Sequence, residues 1–179
     1  MTAPLVLTTS RKLFERVLTI IVITLLVALT VIVLMGVSYR KMGWALVWYD
    51  EGASILLAWL TYYGAALAAL KRAHIGFPGL INSLRPRLRV PAVWVGEAVV
   101  ILFFAMLAWY GTQALIILEG DTMVSLPSVP TRLTQSVIPI GAVLFILAQL
   151  FSLPELLEQA RGEGIMDAEE RELEEALKR

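Results

Sequence analysis

Cysteine is absent from the 179-residue chain, and histidine occurs once, at His74. The lack of cysteine excludes disulfides, thiolate metal ligands, iron–sulfur clusters and cysteine nucleophiles within this chain. A single histidine excludes bis-histidine haem ligation, and a lone histidine without further ligands is a poor metal site. We therefore expect no cofactor and no bound metal, and we expect that the chain is not an enzyme.

Charged residues are also scarce, because they make up 17% of the sequence, whereas about 25% is usual in soluble domains. Acidic and basic residues number 15 each, so the formal net charge is zero and nothing indicates binding to nucleic acid. Hydrophobic residues make up 58%, with a mean hydropathy of +0.76. A soluble core cannot absorb this much apolar surface, so a lipid bilayer must solvate part of the chain.

Four uncharged stretches separate the charged residues, and each can supply the roughly 20 apolar residues of a membrane-spanning helix. Each must be helical, because unpaired backbone groups are very costly in hydrocarbon. The sequence therefore predicts an all-α integral membrane protein with a four-helix membrane domain at 17–154. The predicted spans lie at roughly 17–39, 52–70, 93–118 and 133–153.

Basic residues predict the orientation of these spans, since lysine and arginine favour the cytoplasmic side. Three of them precede span one and five lie between spans two and three, whereas the opposite side carries Arg40, Lys41 and Arg132. We therefore expect a cytoplasmic N-terminus at 1–16 and a charged cytoplasmic tail at 155–179.

The loop between spans two and three carries apolar residues at helical spacing, flanked by basic residues. This pattern predicts a short helix lying in the membrane interface, held by anionic lipid headgroups. Its apolar residues are Leu80, Ile81, Leu84 and Leu88. In the tail, Asp167 and Glu170 have the spacing of a helix start, which predicts a solvated helix after Gly164.

Ionisable residues in or beside the spans are the candidates for function, because they are costly in lipid. Asp50 and Glu51 open span two, where carboxylates either stabilise the helix N-terminus or contact another protein at the outer face. Glu97, one turn inside span three, is explained by the same dipole effect together with an arginine of the preceding loop. His74 is explained as an interfacial polar residue.

Span two has the composition of a helix that packs against other helices. Gly64 and Ala68 are small residues four apart, which lets helices approach closely. Trp59 and Thr61 place polar groups in mid-span, where a protein partner is more favourable than lipid. The spans contain no glycine-broken midpoint with converging polar groups, which transporter cores tend to have. The residues alone therefore favour a small accessory or scaffold subunit.

Three motifs, taken in order, resemble the small membrane subunit, the Q subunit, of tripartite ATP-independent periplasmic (TRAP) transporters. Trp48-Tyr49-Asp50-Glu51 is similar to the Trp-x-Glu-Glu of that family, although an aspartate replaces the first glutamate. Trp59, Gly64-Ala65-Ala66 and Lys71-Arg72-Ala73-His74-Ile75 follow the family's order along span two, although Gly76-Phe77-Pro78 is less polar than usual. Ile138-Pro139-Ile140-Gly141, preceded by Pro130, is similar to the family's opening of span four.

The resemblance implies a sodium-coupled importer of organic acids, to which a periplasmic substrate-binding protein delivers the substrate. In that family a large transmembrane permease subunit binds and moves the substrate, and the small subunit stabilises it and contributes to docking. The resemblance therefore implies two protein partners and a bacterial inner-membrane location. The lipid bilayer is a further partner, and the balanced charge gives no indication of nucleic acid. The hypothetical partner interface comprises Trp48, Asp50, Glu51, Trp59, Gly64, Ala68, His74 and Pro139.

Two other function classes compete with this interpretation. An independent homo-oligomeric membrane carrier or channel is the main alternative, but it needs a polar pore lining, and the spans offer only scattered Thr and Ser residues and Gln113. A small membrane enzyme or redox subunit needs cofactor ligands, which one histidine and no cysteine do not supply.

Overall fold

The computed structural model describes residues 3–72 and 78–162, and within these ranges the chain is mainly helical. Four helical segments are long and apolar enough to cross a membrane, which confirms the predicted all-α class with four membrane helices. The two remaining helices are short. In chain order the helices are α1 (Ala3–Lys41), α2 (Tyr49–Leu70), α3 (Pro78–Ser83), α4 (Pro86–Ile117), α5 (Thr131–Gln135) and α6 (Val137–Arg161).

The four long helices pack in the spatial order α1, α2, α6, α4, which differs from their order along the chain. Helix α6 lies between α2 and α4 and is the most buried span, while α1 packs mainly on α2. We call the end where α1 begins and α6 ends the basic end, and the opposite end, which carries residues 118–130, the hairpin end. The helices therefore form an open row whose long sides remain exposed.

Glycines allow close approach at each of the three main helix contacts. A Cβ added at Gly141 of α6 would lie 2.7 Å from Cβ of Tyr62 in α2, and one at Gly36 of α1 would overlap the ring of Tyr49. At Gly111 of α4 it would lie 3.0 Å from Ile138 in α6. Lipid tails are as apolar as leucine, so helices in membranes associate through close packing, which small residues permit.

The hydroxyl groups within the spans are satisfied by their own helices. Thr24, Thr30, Thr61 and Thr112 each donate to the carbonyl oxygen four residues earlier, at 2.8 Å. Without this bond the hydroxyl would lack a hydrogen-bond acceptor in the hydrocarbon of the membrane. These side chains are therefore already hydrogen-bonded within the chain and provide no converging polar surface.

At the basic end, charged side chains form contacts between three helices. Arg11 of α1 forms a 3.1 Å ion pair with Glu155 of α6 and also donates to the carbonyl oxygen of Leu70 at the end of α2. Lys71 pairs with Glu15 at 3.3 Å. The Leu70 carbonyl is among the last of α2, which lack partners within the helix, so the Arg11 guanidinium also caps that helix.

The helices extend beyond the predicted spans. An apolar stretch of sequence indicates the part of a helix that crosses the membrane, and the helix itself can continue past it. The first helix begins at Ala3, the third long helix begins at Pro86, and α6 continues through 155–161. A short helix, α3, lies between spans two and three as predicted, but it contains only Leu80 and Ile81 of the predicted apolar residues. Leu84 follows its end and Leu88 belongs to α4. The predicted tail helix from Asp167 and the residue His74 lie outside the described residues.

Candidate functional site

The carboxylate of Glu51 connects the first turn of α2 to the loop between α4 and α5. It accepts hydrogen bonds from the backbone N–H of Val124 at 3.1 Å and of Ser125 at 2.8 Å, and from the Ser125 hydroxyl. The N-cap residue Trp48 makes no side-chain capping bond. The oxygens of Glu51 therefore hold a distant loop, which sequence reasoning did not foresee when it weighed capping against partner contact.

Residues 118–130 form a compact turn that we call the outer hairpin. Thr122 and Pro130 form an antiparallel bridge. The N–H of Met123 donates to the backbone carbonyl oxygen of Val129 at 3.0 Å, and the N–H of Thr131 donates to that of Asp121 at 2.9 Å. At the tip, the side chain of Val124 is 91% exposed. The chain thus presents an apolar tip on a backbone fixed by Glu51.

A cavity of about 380 Å³ lies beneath the outer hairpin, between α2 and α5. Asp50 is exposed at its rim, and Met123, Thr134 and Gln135 contribute to the opposite wall. Just below, the indole N–H of Trp59 donates to the carbonyl oxygen of Thr134 at 2.9 Å. This bond ties α2 to α5, so the polar edge of Trp59 has a partner within the chain.

The side of α2 that faces away from its neighbours carries small and polar residues, with Leu57 as the one large apolar exception, at alternating spacings of four and three. This stripe, which we call the α2 face, consists of Asp50, Ser54, Leu57, Thr61, Gly64 and Ala68. A Cβ added at Gly64 would meet no atom within 4 Å in the part of the chain that the structure describes, apart from its own helix backbone and sequence neighbours. The surface therefore offers a shallow groove in which another helix could approach closely.

The exposed sides of the two outer helices have a different composition. On α1 they carry large aliphatic residues, which are Ile20, Ile23, Val27, Val31 and Leu34. On α4 they carry large aliphatic and aromatic residues, which are Val99, Leu102, Phe103 and Met106. Large apolar side chains suit contact with lipid tails, whereas small residues suit contact with a helix. The α2 face thus differs from the lipid-like surfaces beside it.

Comparison with protein families gives one match, which covers residues 29–161. The matching family model is described as "Tripartite ATP-independent periplasmic transporters, DctQ component". The chain belongs to this family. The match includes α2, the outer hairpin and all of α6, and so contains the elements described above. Comparison with curated proteins gave no match.

Membership in the DctQ family identifies the chain as the small membrane component of a TRAP transporter, as the resemblance implied. The family is one of transporter components, and a tripartite system includes a large permease and a binding protein. Together with the four apolar helices, this indicates a multi-pass membrane protein.

The structure divides the predicted interface residues of this small component into three groups. Asp50, Gly64 and Ala68 share the α2 face. Glu51 and Trp59 bind other parts of the chain. Trp48 lies beside its own helix at Gly52, and Pro139 contacts the position of Gly111 in α4. The partner interface as a whole stays a prediction.

Sequence reasoning missed several residues that organise these sites, namely Ser125, Thr134 and Gln149. Ser125 and Thr134 act partly or wholly through their backbone, which carries no sequence signal. Gln149 had a usable signal, because it is an amide side chain inside the window of span four. It donates to the Glu97 carboxylate at 2.6 Å, and the guanidinium of Arg72 acts electrostatically on the same carboxylate.

Proposed function

We propose that the chain is the scaffold subunit of a sodium-coupled, binding-protein-dependent organic-acid importer. In this proposal it stabilises the large permease subunit along the α2 face and presents the outer hairpin to the periplasmic binding protein. The basic end faces the cytoplasm of a bacterial inner membrane, because lysine and arginine cluster there. Family membership supports the tripartite assembly, while sodium coupling and the organic-acid substrate rest on the resemblance of the motifs.

The composition of the α2 face is the observation that carries the proposed contact with the permease. An open row of helices leaves α2 accessible from the side, and apart from Leu57 the α2 face carries small and polar residues, whereas the exposed sides of α1 and α4 carry mainly large apolar ones. A neighbouring helix could reach the backbone at Gly64, and the exposed hydroxyl of Ser54 could meet polar groups near the hairpin end. Lipid tails would gain neither close packing nor hydrogen bonds from a small residue and a hydroxyl group.

The outer hairpin supports the proposed docking role. Its tip is apolar at Val124, and Asp50 and Asp121 add exposed carboxylates nearby. Such a surface suits a soluble partner that offers an apolar contact with basic residues around it. Glu51 acts as a positioning residue, because it fixes the backbone of the tip without itself meeting the partner.

A matched pair of glycine substitutions tests the contact with the permease. Gly64→Leu adds a large side chain to the α2 face, and Gly96→Leu adds the same side chain to the exposed side of α4; neither Cβ meets an atom of the chain within 4 Å. The chain is co-expressed with its large permease subunit and recovered by an affinity tag. We expect Gly64→Leu to reduce recovery of the permease at least about tenfold, equivalent to about 1.4 kcal/mol of binding.

Gly96→Leu should recover the permease as the unchanged chain does. Size-exclusion profiles of both variants without the permease control for folding. Equal recovery of the permease by the two variants would remove the α2 face from the proposed interface.

A further inference from the structure

A second cavity, of about 160 Å³, lies at the basic end and has no role in the proposed scaffold and docking functions. It lies where α2, α4 and α6 meet, and both charged and apolar side chains line it. The lining residues are Ala69, Arg72, Glu97, Gln149, Ser152 and Leu156. We call it the basic-end cavity.

Glu97 carries an acidic side chain into a largely apolar part of the bundle. On the membrane side lies an apolar cluster that includes Ala69, Phe145 and Ala148, and towards the basic end lies another formed around Val93 and Ala160. A carboxylate between two such clusters is costly unless a donor or a cation compensates it. Gln149 supplies one hydrogen bond, at 2.6 Å.

Ser152 adds a second buried polar group to the same wall. Its residue is only 4% exposed, and its hydroxyl donates to the carbonyl of Gln149 at 3.0 Å. Gln149 and Ser152 lie one turn apart on α6, so both belong to the face that looks towards Glu97. The cavity is therefore built from polar side chains within the bundle and is not a gap between lipid-facing residues.

Arg72 supplies the positive charge of the cavity, and its backbone adopts an unfavourable conformation. Its φ of 54° lies in the left-handed region, which residues other than glycine rarely adopt. The guanidinium donates to the side-chain oxygen of Gln159 at 3.1 Å and acts electrostatically on Glu97. Residues in such conformations cluster at binding sites, where the surrounding structure holds them in place.

The size and position of the cavity restrict its ligand. Its volume is below the roughly 300–1,000 Å³ of pockets for larger organic ligands, but it exceeds the roughly 30 Å³ that one water molecule occupies in the liquid. Trp94, an aromatic residue of the kind that marks the headgroup level, is exposed on α4 close to Glu97 in sequence. The cavity therefore lies near the depth of lipid headgroups.

We propose that the basic-end cavity binds the phosphoethanolamine headgroup of a phospholipid. The ammonium group donates hydrogen bonds to the carboxylate of Glu97 and the amide oxygen of Gln149, while the phosphate accepts from the guanidinium of Arg72. A purely anionic headgroup would leave Glu97 facing negative charge, and a metal cation would face Arg72. A zwitterion uses both charges, and this inference is independent of the proposed protein partners.

Binding of three phospholipids to the unaltered full chain tests the proposal without any variant. The chain is purified in mild detergent, stripped of lipid and titrated with phosphatidylethanolamine, phosphatidylcholine or phosphatidylglycerol, and bound lipid is counted by native mass spectrometry. Phosphatidylcholine has the same charges but a trimethylammonium group without N–H donors. We expect one phosphatidylethanolamine per chain, bound at least about tenfold more tightly than the other two, as loss of a hydrogen bond to a charged group predicts.

Equal binding of the three lipids would overturn the proposal, because it would indicate only non-selective lipid around the helices. Glu97→Gln should lower the affinity for phosphatidylethanolamine by a similar factor of about ten. Glu15→Gln is the matched control, since Glu15 pairs with Lys71 at the same end but does not line the cavity. Unchanged affinity in a folded Glu97→Gln variant would also overturn it.

Free phosphoethanolamine separates a lipid ligand from a soluble one. If the lipid is the ligand, its acyl chains add contacts along the helices, and the free compound should bind at least about tenfold more weakly. Equal affinity for the free compound would assign the cavity to a soluble metabolite and overturn the lipid proposal.

Discussion

Glu51 holds the tip of the outer hairpin through two backbone N–H groups and one hydroxyl. Glu51→Ala removes all three bonds, although water can satisfy the exposed N–H of Val124. We therefore expect the free energy of unfolding of the whole chain to change little, while amide exchange at Val124 and Ser125 becomes several-fold faster. Hydrogen–deuterium exchange with mass spectrometry measures this in the purified chain.

Asp50→Ala is the control for that substitution, because Asp50 is adjacent in sequence and acidic but does not bond the hairpin backbone. Exchange in the hairpin should stay unchanged in this variant, whereas binding of the periplasmic protein to the assembled complex should weaken. If Asp50→Ala accelerates exchange at the tip as much as Glu51→Ala does, the two carboxylates do not have the separate roles proposed.

At the residue scale, the sequence identified the important side chains correctly more often than it identified the groups that they contact. Glu51, Trp59 and Glu97 were recognisable because an acid or an indole in or beside a span is costly. Their partners were not, since Thr134 accepts from Trp59 through a backbone oxygen and Ser125 reaches Glu51 across 74 positions. Such contacts depend on how helices pack, which the spacing of residues along one helix does not specify.

Gly141 tests whether close packing holds α6 against α2. A Cβ at Gly141 would lie 2.7 Å from Cβ of Tyr62, close to the backbone, so the helices must separate. Gly141→Ala should therefore lower the free energy of unfolding by about 1–3 kcal/mol, the usual cost of overpacking. Thermal unfolding in detergent, followed by tryptophan fluorescence, measures the loss.

Gly64→Ala is the matched control, because it makes the same change on the exposed side of α2. No atom lies within 4 Å of the added Cβ, so stability should be unchanged or slightly higher, given the better helix propensity of alanine. A similar loss in both variants would mean that glycine at these positions serves the helix itself and not the contact.

The ion pair between Arg11 and Glu155 joins the start of α1 to the end of α6. Each side chain is about one third exposed, at 33% and 35%, so the pair is worth only about 1 kcal/mol. Arg11→Glu should destabilise the chain by at least this amount. Adding Glu155→Arg should restore part of the loss, because Arg11 also caps Leu70 and that bond is not regained.

Chemical unfolding of the two single variants and the double variant, as a double-mutant cycle, measures this coupling. Independent effects of the two substitutions would contradict a role for the pair in fastening α1. Raising the salt concentration should weaken the coupling, because partly exposed charges are screened.

At the element scale, the four spans followed from apolar length. A short helix between spans two and three was also predicted, but the spacing placed Leu84 and Leu88 in it, and both lie beyond the end of α3. The separation of α5 from α6 at Ser136 was not foreseen, because the predicted span began at 133 and read through it. The spatial order α1, α2, α6, α4 was also beyond the sequence. Apolar periodicity identifies a membrane helix, but in lipid it does not indicate which helix packs on which.

The molecule as a whole is an open row of helices with one lateral surface unlike the others. The hydroxyls of Thr24, Thr30 and Thr61 bond their own helices. The proposed scaffold role rests on the α2 face, where a Cβ at Gly64 would meet no atom of the described neighbouring elements within 4 Å. If the permease covers the α2 face, binding must stabilise the chain by mass action.

Thermal unfolding of the chain with and without its permease measures that stabilisation. The complex should unfold at a higher temperature than the chain alone, and Gly64→Leu should remove most of the difference while Gly96→Leu retains it. A complex with the stability of the free chain would mean that the two proteins share no substantial interface.

The central claim, that this chain is a subunit and not a transporter in its own right, is tested most directly by reconstitution. The chain alone, the permease alone and the two together are placed in liposomes, and uptake of candidate organic acids is measured with binding protein and a sodium gradient. We predict uptake only with the two together, recovered as a one-to-one complex. Substrate uptake or ion flux by liposomes containing this chain alone would contradict the account.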